Sequence, residues 1–303
     1  MSIPQTVAVT GASGLVGRAL VTELRAAGCS VRRLVRRPVK DPELEIYWKP
    51  SAGEIDAASL NGVDAVVHLA GENIAGGLWT AERKRRIVES RVQGTRLLCE
   101  TLASLDAKPA VLCSASAVGY YGDRPDEIVD EQSPAGTGFL AESCIAWEAA
   151  TQPAWEAGIR VAQMRVGLVL TEEGGLLGKV LPLFKLGLGS VLGSGEQSMS
   201  WIARQDLVRA FVKVLEDESL HGAVNGVAPN AVTNRQFTKT LGDVLNRPTF
   251  LPAPAFALRL AAGEMADELL LSGAHVQPTR LQQAGFEFEL PELEAALRSI
   301  LDK

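Results

Sequence analysis

Near its N-terminus the chain reads Thr6-Val-Ala-Val-Thr-Gly11-Ala-Ser-Gly14-Leu-Val-Gly17-Arg-Ala-Leu20. Three glycines spaced three residues apart join an apolar strand pattern to an amphipathic helical pattern. In such a turn Gly11 permits tight bending, Gly14 lets the backbone approach a pyrophosphate, and Gly17 lets the helix pack closely on the strand. The pattern predicts a dinucleotide-binding turn at the positive end of a helix, and the alternative is an ordinary glycine-rich turn. The predicted cofactor contacts here are Gly11, Ala12, Ser13, Gly14, Leu15, Val16 and Gly17.

The second predicted strand ends in Arg36 and Arg37, about twenty residues after the glycine turn. NAD-binding proteins usually carry an acidic residue at this place, where it binds the adenosine ribose. Two guanidinium groups instead favour a 2′-phosphate, which a carboxylate would repel. We therefore expect NADP(H) to be preferred over NAD(H); the alternative is that both arginines are solvated surface residues. Arg33 is expected at the surface of the strand.

Composition excludes several classes of function. The chain has 303 residues, of which 47% are hydrophobic, and a formal net charge of −6, which disfavours nucleic acid and anionic membranes as partners. The sequence carries neither a signal-peptide pattern nor an apolar run long enough to span a membrane, so a cytoplasmic location is expected. Its four cysteines form no CxxC pair and its three histidines are dispersed. Reduced thiols and no metal site are therefore expected.

Strand and helix patterns alternate through the first half, which predicts an α/β fold with a doubly wound parallel sheet. One apolar strand, Asp64-Ala-Val-Val-His68-Leu-Ala-Gly71, ends in small residues that are expected beside the cofactor. Its predicted contacts are His68, Leu69, Ala70 and Gly71. We expect a nucleotide-binding domain over 1–168, completed by about 203–224, and a smaller C-terminal α/β domain over 169–202 and 225–303.

The second half is expected to close a pocket. Thr171–Gly195 is rich in glycine and leucine and is predicted to contain a short helix that ends at a glycine. Asp206 is expected to cap a helix over 207–215, and Thr233 to cap another helix. The segment 255–272 is apolar at helical spacing, which is compatible with core, a substrate wall or an oligomer surface.

Further motifs resemble the extended short-chain dehydrogenase/reductase superfamily over essentially the whole chain. Asp64, Val66, His68 and Ala70 match its D-x-V-x-H-x-A strand, and Ser116 with Tyr121-Gly122 matches its serine-rich strand end. More narrowly, the chain resembles atypical bacterial NAD(P)-dependent epimerase/dehydratase-like proteins with a C-terminal DUF1731-type domain. That match rests on Glu89-Ser-Arg-Val-Gln-Gly-Thr95, Ser114-Ala-Ser-Ala-Val-Gly-Tyr-Tyr-Gly122, Phe139-Leu-Ala-Glu142, Trp147-Glu148, Gly263-Glu-Met-Ala-Asp-Glu-Leu-Leu-Leu-Ser-Gly273 and Ala284-Gly-Phe-Glu-Phe288. The resemblance implies a Rossmann fold with a small substrate domain and further cofactor contacts at Arg91, Gly167, Leu168 and Val169.

The superfamily's catalytic pattern is missing. A serine there acts with a YxxxK pair on a helix, in which lysine lowers the pKa of the tyrosine acid/base. In this chain the equivalent pairs are Phe139 with Ser143 or Leu140 with Cys144, which supply neither phenol nor ammonium. The remaining candidates for catalysis are Ser116, Tyr121, Tyr120 and Ser114, with Glu142 as a further proton donor. Alternatively, the two tyrosines pack a loop.

The sequence is compatible with three functional hypotheses. The first is an NADP-dependent oxidoreductase or epimerase-like enzyme that acts, as a monomer or homodimer, on a small carbonyl or hydroxyl compound, with a nucleotide-sugar as one candidate. The second is a catalytically silent protein that binds NADP(H) and reports redox state. The third is a protein whose glycine turn binds another nucleotide.

Overall fold

The computed structural model describes residues 3–302; residues 1, 2 and 303, at the ends of the predicted domains, lie outside the described part. The strands in chain order are β1 (Thr6–Thr10), β2 (Ser30–Val35), β3 (Glu45–Lys49), β4 (Glu54–Ile55), β5 (Ala65–His68), β6 (Val111–Ala117), β7 (Arg124–Val129), β8 (Arg160–Val166), β9 (Leu168–Leu170), β10 (Ser190–Leu192), β11 (Ser198–Met199), β12 (Trp201–Ala203), β13 (Gly222–Gly226), β14 (Val232–Thr233), β15 (Leu251–Ala253) and β16 (Ala274–Val276). The α-helices are α1 (Leu15–Ala26), α2 (Ala57–Leu60), α3 (Ala81–Ser104), α4 (Phe139–Ala149), α5 (Gln152–Glu156), α6 (Gly175–Lys185), α7 (Arg204–Glu216), α8 (Asn234–Leu245), α9 (Ala255–Ala262), α10 (Glu264–Leu269), α11 (Thr279–Gln283) and α12 (Leu293–Ile300).

The central sheet has eight strands in the order β13-β8-β6-β5-β1-β2-β3-β4. All neighbouring strands are parallel except the β3–β4 pair. From β1 the chain builds the sheet outward to β2 and β3, and then returns to place β5 on the other side of β1. The prediction of a doubly wound parallel sheet is confirmed. The reversal between β1 and β5 is the place where this fold binds ligands, beyond the carboxyl ends of the strands.

Helices cover both faces of the sheet, because residues along each strand alternate between the two faces. Val7 and Val9 of β1 pack with α1 and α7, including the buried side chains of Leu20 and Phe211. Ala8, which lies between the two valines, packs on the other face, where α3 lies. This sandwich fixes the sheet edge at which the glycine turn emerges.

The C-terminal part packs against that edge. Helices α6, α8 and α12 share a third apolar cluster, and the strand pairs β7–β16 and β9–β12 join this part to the central sheet region. Leu281, Phe286 and Phe288 return to the core beneath α7. Strand β13 ends at Gly226, two residues beyond the predicted limit of 224, and the division into two domains stays a prediction. None of the helices described between residues 3 and 302 is long and apolar enough to cross a bilayer.

The predicted cap at Asp206 is wrong. Helix α7 begins at Arg204, so Asp206 lies inside its first turn. Its buried carboxylate accepts hydrogen bonds from the main-chain N–H groups of Glu289 and Leu290, each at 2.9 Å. Asp206 therefore anchors the returning C-terminal segment to α7, a contact between residues far apart in sequence.

The other helix predictions had different outcomes. Thr233 caps α8 in a complete capping box, as expected. The glycine-ended helix exists as α6, and it ends before Gly187, whose φ is +75°. The apolar segment 255–272 is broken at Gly263 into α9 and α10, and α9 has no buried residue. Helix α9 is therefore not part of the core.

Candidate cofactor and substrate site

The turn between β1 and α1 forms a cradle in which the positions of Gly11 and Gly17 admit only glycine. Gly11 has a φ of +66°, and a Cβ atom there would lie 2.8 Å from the carbonyl carbon of Leu69. A Cβ atom at Gly17 would lie 2.2 Å from the carbonyl oxygen of Gly11. No side chain caps the N-terminus of α1 at Gly14. The turn thus fits a dinucleotide pyrophosphate, which would accept hydrogen bonds from the start of the helix.

His68 holds the strand end beside this cradle. Its Nδ1 lies 2.7 Å from the hydroxyl oxygen of Thr10, and its Nε2 lies 2.9 Å from that of Thr95. The Thr10 oxygen also accepts hydrogen bonds from the N–H groups of Leu69 and Ala70. Because the Thr10 oxygen accepts these two hydrogen bonds, its hydroxyl proton is donated to Nδ1 of His68. Neutral His68 therefore carries its own proton on Nε2.

The structure corrects the predicted contact between His68 and the cofactor. The residue is 0% exposed, and burial lowers its pKa to about 4. His68 is therefore a positioning residue that fixes Leu69 and Ala70, whereas Leu69, Ala70 and Gly71 remain candidate contacts.

The two arginines after β2 differ in whether their side chains have a partner within the protein. The guanidinium of Arg37 donates to both carboxylate oxygens of Glu45, at 2.8 and 2.5 Å, and Arg33 donates to the same carboxylate at 2.9 Å. Arg37 is the main reason that the pKa of the buried Glu45 carboxyl is lowered to about 2. Arg33 is thus paired and is not simply a surface residue. Arg36 is exposed, and its side chain has no hydrogen bond to another described residue.

Two of the predicted catalytic residues, Ser116 and Tyr121, lie in a buried network. Ser116 donates to Glu148 at 2.7 Å, and both carboxylate oxygens of Glu148 pair with Arg165, at 2.8 and 2.9 Å. Arg165 also donates to the hydroxyl of Tyr121 at 3.0 Å, and Tyr121 donates to Asn225 at 2.8 Å. Burial is the main reason that the pKa of Tyr121 is raised to about 12. Ser116 and Tyr121 therefore supply hydrogen bonds to the buried ion pair of Glu148 and Arg165.

The structure has a large cavity beyond the carboxyl ends of β6 and β8, and none of the predicted catalytic residues lines it. Ser114 is 1% exposed and its hydroxyl donates to the carbonyl oxygen of Ala115. The ring of Tyr120 is covered by Arg165, whose guanidinium carbon lies 3.4 Å from the ring centre. Glu142 is exposed on α4. Arg165 of β8 thus holds Glu148, which binds Ser116, and the hydroxyl of Tyr121, and the catalytic roles of Ser114, Ser116, Tyr120 and Tyr121 stay predictions.

A cavity of about 850 Å³ opens between the carboxyl ends of β6 and β8 and the C-terminal part. From β6 it is lined by Ala117, followed by Val118 and Gly119, and from the link between β8 and β9 by Gly167 and Leu168. Val169, also a predicted cofactor contact, packs instead against the core beneath α7. The place expected for a reacting carbonyl is therefore lined mainly by apolar groups.

Arg91 of α3 supplies a cation to this cavity. It donates to the carbonyl oxygen of Ile87 at 3.0 Å, and its guanidinium carbon lies 4.9 Å from the ring centre of Trp147 on α4. A Cβ atom at Gly71 would lie 3.4 Å from the same carbon. Burial lowers the pKa of Arg91, and within residues 3–302 no carboxylate forms an ion pair with it. The guanidinium keeps donors available between the predicted cofactor cleft and the cavity.

Helix α10 closes one side of the cavity through contacts that the sequence did not reveal. The carboxylate of Glu268 accepts hydrogen bonds from the N–H groups of Phe139 and Leu140, each at 3.2 Å. It thereby caps α4, which begins after Gly138 without a cap of its own. Lys84 of α3 pairs with Glu264 of α10 at 2.7 Å. The only advance signal was the clustering of acidic residues in 264–268.

No group of histidine, cysteine and acidic side chains suited to a metal ion occurs within the described part of the chain.

The family model described as "NAD dependent epimerase/dehydratase family" matches residues 7–225, which is most of the chain. This chain belongs to the NAD-dependent epimerase/dehydratase family. A second model, the domain of unknown function DUF1731, matches residues 253–300. The resemblance derived from the sequence is thus confirmed.

Relatives within this family are similar over nearly their whole length. "Epimerase family protein Mb2239" of Mycobacterium bovis is 47% identical over 291 residues, which cover 96% of each chain. Human "Epimerase family protein SDR39U1" is 35% identical over 298 residues, which cover 97% of this chain and 99% of the human one.

Solved structures agree with the fold. The crystal structure of human SDR39U1 with NADPH has a TM-score of 0.90 and 33% identity, covering 98% of this chain and 99% of that chain. A nucleoside-diphosphate sugar epimerase from Corynebacterium glutamicum has a TM-score of 0.82 and 37% identity, covering 98% of this chain and 58% of that longer chain. The fold shared with these two structures therefore extends through the C-terminal part of this chain.

Proposed function

We propose that the protein binds NADP(H) in preference to NAD(H) and acts as an oxidoreductase or epimerase-like enzyme on a small carbonyl or hydroxyl compound. The observation that carries this proposal is the glycine cradle at the reversal between β1 and β5. The cavity lined by Arg91 and Gly167 lies at the carboxyl edge of the same sheet. The presence of NADPH in the human SDR39U1 structure supports the choice of cofactor.

At the adenosine end, Arg36 is the residue proposed to bind the 2′-phosphate. Its guanidinium is exposed beyond the carboxyl end of β2, beside the glycine turn. Arg37 is less available to the phosphate because it pairs with Glu45. The same ion pair nevertheless keeps the guanidinium of Arg37 close to the end of β2. Ala70 and Gly71 complete the proposed wall of the cleft.

At the nicotinamide end, the chain orients the reactants and binds developing charge. Bound NADPH would supply a hydride to a carbonyl carbon and become NADP+, and the alkoxide oxygen would then take its proton from solvent water at the mouth of the cavity, beside Leu183. Gly167 and Leu168 are proposed to support the ring, while Val118 and Leu140 exclude water from the cavity. Arg91 is proposed to stabilise negative charge on the substrate oxygen, since the usual tyrosine and lysine are missing.

Calorimetric titration of nucleotide-free protein with NADP+, NADPH, NAD+ and NADH tests the cofactor proposal. Losing a hydrogen-bonded charge pair costs about 1.5–3 kcal/mol, so Arg36→Ala should weaken NADPH binding about tenfold or more and leave NADH binding unchanged. Arg25→Ala, which removes an exposed arginine at the far end of α1, is the matched control. Equal affinity for both cofactor types, unaffected by Arg36→Ala, would overturn the assignment.

The second candidate function is a catalytically silent sensor of the NADP+/NADPH ratio. The burial of Ser116 and Tyr121 within the ion-pair network favours it. A sensor should stay inactive in a screen of carbonyl substrates while its hydrogen exchange or partner binding differs between the NADP+ and NADPH forms. Turnover of any screened carbonyl with matching NADPH oxidation would exclude this alternative.

A cytoplasmic location, a monomer or homodimer, and the absence of nucleic-acid and membrane partners stay predictions. The same holds for the boundaries of the two domains.

A further inference from the structure

The polar side chains around the large cavity are mostly turned toward the protein. Ser143 donates to the carbonyl oxygen of Phe139 at 2.6 Å, and Ser200 donates to that of Ala274 at 2.8 Å. The amide of Gln197 donates to two main-chain carbonyl oxygens, at 2.6 and 3.1 Å. These groups line the cavity, but their hydrogen bonds stabilise the wall.

Most charged side chains of the lining also form ion pairs or hydrogen bonds within the protein. Arg259 pairs with Asp267 at 2.9 Å, Asp123 accepts a hydrogen bond from a main-chain N–H at 3.0 Å, and Glu268 caps α4. Only Arg91, among the described lining residues, is a cation without a carboxylate partner. A sugar diphosphate needs several donors for its phosphates and hydroxyls, whereas most polar side chains of this lining already bond to the protein.

The remaining wall is apolar and continues to the surface. Val180, Leu183 and Phe184 line the cavity from α6, and Phe237 lines it from α8. Leu183 is 52% exposed, so the apolar lining begins where the cavity meets solvent.

We propose that the substrate is a largely apolar carbonyl or hydroxyl compound, whose hydrocarbon part lies along α6 and whose oxygen lies toward Arg91. This proposal rests on the proposed NADP(H)-dependent function and names the substrate class of the same site. The cavity of about 850 Å³ accommodates a medium-length chain or a ring system in addition to the nicotinamide. Release of water from the apolar wall drives binding, and the guanidinium of Arg91 orients the oxygen.

Calorimetric titration with defined probes tests this proposal without requiring turnover. Protein saturated with NADP+ is titrated with 2-decanone, 2-butanone and UDP-glucose. 2-Decanone has six more methylenes than 2-butanone, and each methylene transferred from water to an apolar site strengthens binding about fourfold. Burial of only half of them should therefore make 2-decanone bind at least about 60-fold more tightly. UDP-glucose should show no binding.

Two matched variants locate the probe. Leu183→Glu places a charge on the lining and should weaken 2-decanone binding at least about tenfold. Leu186→Glu makes the same change at a leucine that is 73% exposed and lies outside the lining, so it should have no effect. Both leucines are exposed, and circular dichroism checks that both variants fold.

The possible failures are distinguishable. Failure to bind NADP+ or NADPH removes the proposed function itself. Normal cofactor binding without 2-decanone binding, with or without UDP-glucose binding, overturns only the substrate class. Binding of 2-decanone that Leu183→Glu leaves unchanged overturns the assignment to this cavity.

Discussion

The glycine turn and the carboxyl end of β6 both carry family motifs, but they differ in whether their polar groups have hydrogen-bond partners within the protein. In the turn, the start of α1 has no side-chain cap and stays open to a ligand. At the end of β6, the hydroxyls of Ser116 and Tyr121 are bound to Glu148, Arg165 and Asn225 inside the protein. A motif therefore shows which residue is present, whereas its hydrogen bonds show whether it is available to a ligand.

The largest expected effect is a loss of unfolding free energy when the buried network at the end of β6 is broken. Glu148→Ala would leave Arg165 as a buried charge with its carboxylate removed. Loss of one partner of a buried pair costs about 3–5 kcal/mol, and urea unfolding should show this loss. Glu142→Ala, at an exposed position on the same helix, should change stability by less than about 0.5 kcal/mol. Similar small losses in both variants would mean that the network is not structural.

A second prediction concerns His68 and pH. Its pKa is lowered from 6.5 to about 4 in the folded protein, so the unfolded chain binds more protons between these values. Stability from neutral His68 is therefore complete above about pH 6.5 and is lost as the pH falls toward 4. Between pH 7 and 5 the loss should be about 2 kcal/mol.

Urea unfolding of wild type and His68→Gln at both pH values measures this contribution. The variant should be less stable at pH 7 but should lose less stability on acidification. An unchanged pH dependence in the variant would show that another group causes it.

The smallest expected effect is that of Tyr121→Phe. The substitution removes a hydroxyl that joins Arg165 to Asn225 and keeps the ring. It should cost about 1–2 kcal/mol in unfolding experiments. If Tyr121 instead serves catalysis, stability should be little changed while turnover collapses.

Much of the fold could be predicted because its signals are local. The glycine spacing around Gly11 and Gly17, and the alternation of apolar strands with helices, depend on neighbouring residues. The cap at Thr233 is equally local, and it was predicted correctly. Asp206 was predicted wrongly because its hydrogen bonds reach Glu289 and Leu290, across the length of the C-terminal part.

The site was less predictable for the same physical reason. Arg165 stands between Met164 and Val166 in β8 and needs a buried partner, but nothing local identifies Glu148. The cap that Glu268 provides for α4 likewise depends on tertiary structure. The sequence could therefore name the motifs, but only the fold could separate open groups from occupied ones.

Titration of NADPH into wild type, Gly17→Ala and Tyr121→Phe tests the contrast between the two regions most directly. A Cβ atom at Gly17 would lie 2.2 Å from the Gly11 oxygen, so Gly17→Ala should distort the cradle and weaken NADPH binding at least about 100-fold, equivalent to about 2.7 kcal/mol. Tyr121→Phe should bind NADPH within about twofold of wild type, because its hydroxyl lies in the closed network. Wild-type affinity in Gly17→Ala, or an equal loss in Tyr121→Phe, would contradict the distinction between an open cradle and a closed network.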